Sequence, residues 1–277
     1  MSAKQRWFKG LWIGLSIVIL CYVGAYLFLY AGKDQQANRY RSTPLPDDYT
    51  FSFTQDFDEV SIPTPQAGLL NGLLFSVPKS KGKSKGVVCF WKGNGGTLAN
   101  WGAIAPTFLQ YGYDVLVVDY RQHGKSKGAI SLANFYSDAQ TVYDSLKHRY
   151  QEARIVVCGY SLGGRIAAHL AANNHPKFTL LIDPASAGGD FSDRFTDRLY
   201  FPLPSVNGFV FPTDEDVQKA PASVVVISTD NTNSTAYQLK KVLSHKDQFV
   251  AVPGATHETM LTHPQTLQLI KQLLSGS

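Results

Sequence analysis

The stretch RIVVCGYSLGGRIAAHLA, residues 154–171, decides the predicted fold. A short apolar run ends in GYSLG, residues 159–163, and an amphipathic helical pattern follows directly. Glycines permit a turn so tight that the serine is held at its tip, with the positive end of the next helix behind it. An ordinary Gly-rich turn is the alternative, but pattern and context agree. They predict that Ser161 is a nucleophile.

Strand-like and helix-like segments alternate along the chain from residue 87 onwards. Short unbroken apolar runs are typical of strands buried on both faces of a parallel sheet. Before residue 87, the segments YTFSF, EVSI and GLLNGLLFSV are β-rich patterns. The alternation predicts an α/β fold with a mostly parallel central sheet and helices on both faces. The strand-like runs are VVCFW (87–91), YDVLVVDY (113–120), RIVVCGY (154–160), FTLLID (178–183), SVVVIS (223–228) and DQFVAV (247–252).

A serine hydroxyl is a weak nucleophile and needs a base. His257 follows the last strand-like run in PGATH and is the predicted base, with His263 as a weaker candidate. Asp230 follows SVVVIS and is the predicted acid that orients the imidazole. Asp183, at the end of FTLLID, is the alternative acid.

Two backbone N–H groups are expected to bind the developing oxyanion. One belongs to Leu162, directly after the nucleophile, and the other to a loop after an earlier strand. The segment FWKGNGG, residues 90–96, supplies that loop, and Asn94 is the predicted second donor. The loop's glycines let the backbone approach a substrate closely. No motif predicts a phosphate, dinucleotide, metal or other cofactor site.

Four motifs occur in the order typical of one known family. With these motifs the chain resembles the α/β-hydrolase superfamily, over about residues 50–275. Within it, the chain is similar to membrane-anchored hydrolase-domain proteins near the serine aminopeptidase and lysophospholipase-like group. The resemblance implies an eight-strand type of sheet and a triad of Ser161, His257 and an acid near residue 230. The motifs are FWKGNGG (90–96), VVDYRQHGKS (117–126), GYSLGG (159–164) and VPGATH (252–257).

The chain departs from the family pattern at three places. Lys92 stands where a histidine usually precedes the first loop glycine, and His123 stands where a glycine is usual. The acid loop STDNTNST, residues 228–235, is shorter than usual and lacks the proline that normally follows the acid. These departures motivate the alternative that the protein is a catalytically weak scaffold.

A membrane anchor is predicted near the N-terminus. Gly10–Gly32 contains no ionisable Lys, Arg, Asp, Glu or His, and 20 or more helical residues cross a hydrocarbon core of about 30 Å. The stretch is longer than the apolar part of a cleaved signal peptide. It ends in the bulky residues LFLY, where a cleavage site would need small ones. The predicted organisation is a basic tail (1–9), an anchor (10–32), a tether (33–48) and a hydrolase domain (49–277) with a long connection and candidate partial lid (184–222).

The net charge of +5 arises mainly from the N-terminal segment and one loop. Three positive charges lie before residue 10, and four lysines occupy residues 78–86, which we predict to be an exposed hairpin loop. A nucleic-acid-binding surface therefore has no support. The tight N-terminal cluster favours a cytosolic N-terminus and a domain on the extracytoplasmic side.

These features together predict a membrane-anchored serine hydrolase that cleaves carboxylic esters or thioesters, lipid-derived acyl substrates included. The alternatives are a serine peptidase and a weakly active scaffold or binding protein. Cys89 and Cys158 are predicted to be buried free thiols. The sequence does not indicate the oligomeric state.

Overall fold

A computed structural model of the chain describes residues 3–31, 37–184, 209 and 211–276. Most of the predicted long connection, and residues 32–36 around the end of the predicted anchor, therefore lie outside the described residues. The compact unit that contains the sheet begins at Tyr40, inside the predicted tether, and resumes at Phe211. The two Cys residues of the strands are buried free thiols, as predicted.

The N-terminal helix, α1, spans Ala3–Ala31. Its segment Lys4–Phe28 has a mean hydropathy of 2.2, and none of it is buried. At about 1.5 Å per residue, this helix is long and apolar enough to cross a membrane. The helix begins at Ala3, so most of the predicted basic tail belongs to α1.

The described part of the chain contains one eight-stranded sheet with the order β1-β2-β4-β3-β5-β6-β7-β8. Strands β1 and β2 form an antiparallel hairpin, β2 pairs antiparallel with β4, and the other pairings are parallel. The predicted α/β fold with a mostly parallel sheet is confirmed. The strands are β1 (Phe57–Thr64), β2 (Gly68–Phe75), β3 (Gly86–Trp91), β4 (Tyr113–Val118), β5 (Ile155–Tyr160), β6 (Phe178–Ile182), β7 (Val224–Thr229) and β8 (Gln248–Val252).

Strands β3, β4, β5 and β6 are buried along their whole length. Alternate residues of a strand point to opposite faces, so both faces of this central part are covered. Val88, Phe90 and Cys158 pack on one face against Phe108 and Leu269 from two different helices. The core therefore surrounds the strand that precedes the serine turn.

Helices follow most of the parallel strands. Helix boundaries obey local signals: Ser131 caps one helix through its side chain, and Pro264 occupies the first turn of the last. In the residues that the structure describes, the helices after α1 are α2 (Leu98–Trp101), α3 (Pro106–Leu109), α4 (Leu132–Lys147), α5 (Leu162–Asn173), α6 (Thr213–Lys219), α7 (Thr235–Gln238) and α8 (Pro264–Ser275).

Three local predictions differ from the structure. The segment YTFSF, residues 49–53, forms no strand. The lysine-rich loop is not a hairpin, because β2 pairs with β4 rather than with β3. The predicted tether is partly ordered on the sheet unit, where Leu45 donates a backbone hydrogen bond to Gly124 at 3.0 Å. These differences arise from long-range pairing that local patterns do not contain.

Candidate active site

Ser161 lies between β5 and α5, at the carboxyl end of the sheet. Its backbone has φ 54° and ψ −119°, a conformation that is uncommon for a residue with a side chain. A Cβ at Gly159 would collide with the backbone of Gly163, and a Cβ at Gly163 would collide with the backbone oxygen of Trp91. Both glycines are therefore required for this tight turn, which the sequence predicted.

A hydrogen-bonded chain joins the serine to a histidine and a carboxylate. Nε2 of His257 lies 3.0 Å from Oγ of Ser161. On the opposite side of the ring, Nδ1 of His257 lies 2.5 Å from Oδ2 of Asp183. The Asp183 side chain is only 4% exposed, whereas that of His257 is 33% exposed. The acid is therefore shielded from solvent, while the base is partly exposed.

The structure places Asp183, not Asp230, beside His257. Asp183 directly follows β6, the immediate neighbour of β5, and its N–H donates to the carbonyl of Ile227 at 2.7 Å. Asp230 follows β7, one strand farther from the serine, and is exposed. The expectation that Asp230 orients the histidine is thus corrected in favour of the alternative acid, because the Asp183 carboxylate contacts the imidazole whereas Asp230 is exposed.

Tyr160 supports the histidine from the residue before the serine. Its ring stacks on the ring of His257 with centroids 4.9 Å apart, and its hydroxyl donates to the His257 carbonyl oxygen at 2.7 Å. Burial, followed by the negative charge of Asp183, raises the pKa of Tyr160 to about 12. The hydroxyl therefore stays protonated and remains a donor. Tyr160 was not among the predicted site residues, although it lies inside the GYSLG motif.

His263, the weaker candidate base, has a different position. It precedes α8, and its side chain accepts a hydrogen bond from the backbone N–H of Gln265. The imidazole therefore caps a helix. Of the two histidines considered as a base, His257 is the one that contacts the serine.

The two predicted oxyanion donors belong to the start of α5 and to the loop after β3. Leu162 is the first residue of α5, where a backbone N–H has no acceptor within the helix. Asn94 belongs to the loop after β3, and Trp91 at the end of β3 is paired with Gly159 of β5. A Cβ at Gly93 would lie 3.2 Å from the ring of Tyr160, so this loop packs closely against the serine turn.

The departure at Lys92 forms a buried polar cluster behind this loop. Lys92 is fully buried, and its Nζ donates to the carbonyl of Gly96 at 2.9 Å and contacts Nδ1 of His123 at 2.8 Å. The same atom lies 3.3 Å from Oδ1 of Asp119, which is also fully buried. The two residues that depart from the family pattern, Lys92 and His123, are thus direct partners.

The cluster has the ionisation behaviour of a desolvated site. Burial lowers the pKa of Lys92 to about 8, and Asp119 opposes this effect. Burial also lowers the pKa of His123 to about 3, reinforced by the charge of Lys92. His123 is therefore neutral near pH 7, with Nδ1 as an acceptor from the ammonium group. The sequence showed both substitutions but not their contact.

The comparisons with known proteins agree with the fold and the order of the motifs. A family model described as Serine aminopeptidase, S33 matches residues 82–199. Lysophosphatidylserine lipase ABHD12 of Danio rerio is 22% identical over 97% of this chain and 82% of its own length. Protein bem46 of Schizosaccharomyces pombe is 25% identical over 61% of this chain, a match that spans 56% of that protein.

Solved structures share the fold at low sequence identity. An alpha-beta hydrolase from Vibrio vulnificus has a TM-score of 0.62 at 21% identity and covers 80% of this chain and 81% of its own. The Est1E protein of Butyrivibrio proteoclasticus, solved with ferulic acid bound, has a TM-score of 0.60 at 18% identity and covers 78% and 96%. The Pyrococcus furiosus esterase Pf2001 has a TM-score of 0.57 at 17% identity and covers 83% and 95%.

The fold and the order of the motifs are those of the α/β-hydrolase superfamily, and the family model and the relatives support this assignment. Its match to ABHD12 extends over the N-terminal helix as well as the sheet unit, since it covers 97% of the chain. The chain therefore combines the α/β-hydrolase fold with a long apolar N-terminal helix.

Proposed function

We propose that the protein is a serine hydrolase that cleaves carboxylic esters or thioesters through an acyl-enzyme. The observation that carries this proposal is the chain of hydrogen bonds from Ser161 through His257 to Asp183. In the first step, Oγ of Ser161 attacks the acyl carbon while Nε2 of His257 takes the hydroxyl proton. Asp183 keeps the hydrogen of the neutral ring on Nδ1 and stabilises the imidazolium that forms.

The tetrahedral intermediate carries a negative charge on the former carbonyl oxygen. The N–H groups of Leu162 and Asn94 are the proposed donors to this oxygen. The intermediate collapses when the bond to the leaving group breaks, and His257 returns the proton to the departing alcohol or thiol. A water molecule, deprotonated by the same histidine, then attacks the acyl-enzyme and releases the carboxylic acid and free Ser161.

Turnover of p-nitrophenyl esters by the purified full-length protein tests this proposal. We expect measurable turnover by the wild type and a loss of at least about 10⁴-fold in kcat for Ser161→Ala, since nucleophile and base act as one unit. Ser52→Ala is the matched control, because Ser52 is exposed and lies outside the motifs. Turnover that survives Ser161→Ala would rule out this serine as the nucleophile.

A lipid-derived acyl group is the proposed natural substrate. The relative ABHD12 is named a lysophosphatidylserine lipase, and its match extends over nearly the whole chain. A long apolar helix on the same chain would keep the catalytic unit close to lipid substrates. Product analysis with a panel of lysophospholipids and water-soluble esters tests this preference. A preference for short water-soluble esters at equal concentration would contradict it.

A peptidase is the second candidate, because the matching family model is described as a serine aminopeptidase. The same triad chemistry cleaves esters and amides, so fold and triad do not choose between them. Amino-acid p-nitroanilides and the corresponding p-nitrophenyl esters separate the two candidates. We expect ester turnover to exceed anilide turnover, and the reverse would favour the peptidase.

We further propose that α1 anchors the protein in a membrane with the hydrolase unit on the extracytoplasmic side. The helix supports the anchor by length and composition. Its three early positive charges, Lys4, Arg6 and Lys9, support a cytosolic N-terminus. Protease protection in sealed membranes tests this orientation. Cleavage of the hydrolase unit only after access to the cytosolic face would reverse it.

A further inference from the structure

The loop of residues 93–97, here called the oxyanion loop, is held by its backbone carbonyls. The Gly96 carbonyl accepts two side-chain hydrogen bonds, from Nζ of Lys92 at 2.9 Å and from Oγ of Ser42 at 3.0 Å. The Gly95 carbonyl accepts a third, from Nε1 of Trp101 at 2.7 Å. The C=O and N–H of one planar trans peptide point in opposite directions. Fixing these carbonyls fixes the two peptide planes on either side of Gly96, and it holds the loop two residues beyond the predicted donor Asn94.

The number of hydrogen-bond donors on Lys92 equals the number of polar partners around its Nζ. An ammonium group has three N–H donors and no acceptor. Three partners surround its Nζ: the Gly96 carbonyl, Nδ1 of His123 and the Asp119 carboxylate. Because Nδ1 of His123 must accept, its Nε2 carries the hydrogen and donates to the carbonyl of Tyr40 at 2.5 Å. The Lys92 ammonium group thus has two hydrogen-bond acceptors and one ionic partner.

The partners Tyr40 and Ser42 come from the segment that follows α1 in the sequence. Backbone hydrogen bonds pin this segment to the loop around residue 124, where Gly124 N–H donates to the Thr43 carbonyl at 3.1 Å. A parallel bridge pairs Pro44 with Gly124 at the same place. The segment therefore reaches the oxyanion loop as ordered chain rather than as a free linker.

A purely stabilising role explains the cluster poorly. Removing two charges from water is expensive, and a buried ion pair is often no more stable than apolar side chains of similar volume. Lys92 and Asp119 are both fully buried, yet the lysine donates one hydrogen bond to the backbone of a loop beside the serine turn. Fixing that loop is a function that an apolar side chain cannot supply.

We propose that Lys92, His123 and Ser42 form a clamp that positions the oxyanion loop, which makes the segment after α1 a working part of the active site. Lys92 and Ser42 are positioning residues that act through the Gly96 carbonyl and do not touch substrate. This inference rests on the proposed serine hydrolase function. It assigns a role in that reaction to residues that lie outside the triad.

The test measures kcat and KM for a p-nitrophenyl ester and the Ki of a trifluoromethyl ketone, using full-length protein in detergent. Such ketones mimic the tetrahedral intermediate, so their binding reports on the oxyanion site. For Ser42→Ala we expect kcat to fall about 3- to 10-fold with KM within about twofold, and Ki to rise in parallel. Ser42→Thr keeps the hydroxyl and should restore both values.

The second variant removes the ion pair as a unit. Lys92→Met with Asp119→Asn leaves no unpaired buried charge, and we expect kcat to fall about 10- to 100-fold with a parallel rise in Ki. Thermal melting identifies any variant that fails to fold, in which case the Ser42→Ala and Ser42→Thr pair decides. Ser52→Ala is the control for a neutral serine loss.

The proposal is overturned if folded variants of both kinds keep kcat and Ki within twofold of wild type. It is also overturned if the loss appears in KM while kcat and Ki are unchanged. Failure of the proposed function and failure of the clamp give different results. Turnover that survives Ser161→Ala removes the proposed function itself. A strict need for Ser161 together with fully active clamp variants removes only the clamp.

Discussion

The two halves of the site are built in different ways. The half around Ser161 and His257 consists of side chains that sit at strand ends and contact one another directly. The half after β3 consists of backbone, and buried side chains such as Lys92 hold it from behind. The first half is readable as a motif, whereas the second depends on contacts between distant parts of the chain. Substitutions in the two halves should therefore differ in the size of their effect and in the measured quantity that changes, such as kcat or stability.

The largest effect is expected from the acid of the first half. Asp183→Asn leaves the shape almost unchanged but favours the wrong tautomer of His257, so we expect kcat to fall by about 10³- to 10⁴-fold. Asp230→Asn is the matched control at the end of the next strand, with an expected change below about twofold. Steady-state kinetics on a p-nitrophenyl ester measures both. A larger loss at Asp230 would return the acid to the position that the sequence favoured.

The next effect tests how tightly the two halves meet. A methyl group at Gly163 would collide with backbone oxygens at the end of β3, so Gly163→Ala must displace that strand end. We expect a loss of about 1–3 kcal/mol in the free energy of unfolding, together with reduced kcat. Urea unfolding measures the stability. Gly95→Ala is the control, because a Cβ there meets nothing within 4 Å; equal losses in the two variants would contradict the packing account.

A smaller effect is expected from the tyrosine beside the histidine. Tyr160→Phe keeps the stacked ring but removes the hydrogen bond to the His257 carbonyl. A single neutral hydrogen bond contributes about 0.5–1.5 kcal/mol, which corresponds to roughly a 2- to 12-fold lower kcat. Tyr237→Phe, far along the chain in α7, is the control. An unchanged kcat in Tyr160→Phe would show that stacking alone positions the imidazole.

The smallest effect concerns stability and pH in the second half. The pKa of folded His123 is about 3, mainly because of burial and then because of the nearby ammonium of Lys92. An unfolded histidine has a pKa of about 6.5. Between these values the unfolded chain binds a proton that the folded chain does not, so falling pH destabilises the fold through this group.

Asn at position 123 keeps an acceptor for Lys92 and cannot titrate. We therefore expect the wild type to lose more stability between pH 7.5 and 5 than His123→Asn does. Urea midpoints at the two pH values, with their slopes, measure the difference. The carboxylates that also titrate, Asp119 among them, are common to both proteins. An identical pH dependence would contradict the buried neutral histidine.

The sequence predicted the parts of the site that are local. Ser161 is specified by glycines two residues to either side, and His257 by its place after the last strand-like run. The local sequence does not distinguish the two candidate acids, because Asp183 and Asp230 both follow apolar strands. The deciding fact is that the Asp183 carboxylate contacts the imidazole of His257. This contact is a property of the folded chain.

The support of the oxyanion loop was still harder to predict. Ser42 and Gly96 lie 54 positions apart, and Lys92 and His123 lie 31 apart. The sequence marked Lys92 and His123 only as separate departures from a family pattern. The structure shows that the two departures are linked, because the ammonium group of Lys92 contacts the imidazole of His123. The same geometry shows why a region expected to be a tether is ordered.

Covalent labelling of the intact protein by a fluorophosphonate tests the central claim most directly. An activated serine reacts with this reagent, and mass spectrometry locates the adduct on a peptide. The account predicts one adduct on the peptide containing Ser161, no adduct in Ser161→Ala, and strongly slowed labelling in Asp183→Asn but not in Asp230→Asn. An adduct on another residue, or unchanged labelling in Ser161→Ala, would contradict the account.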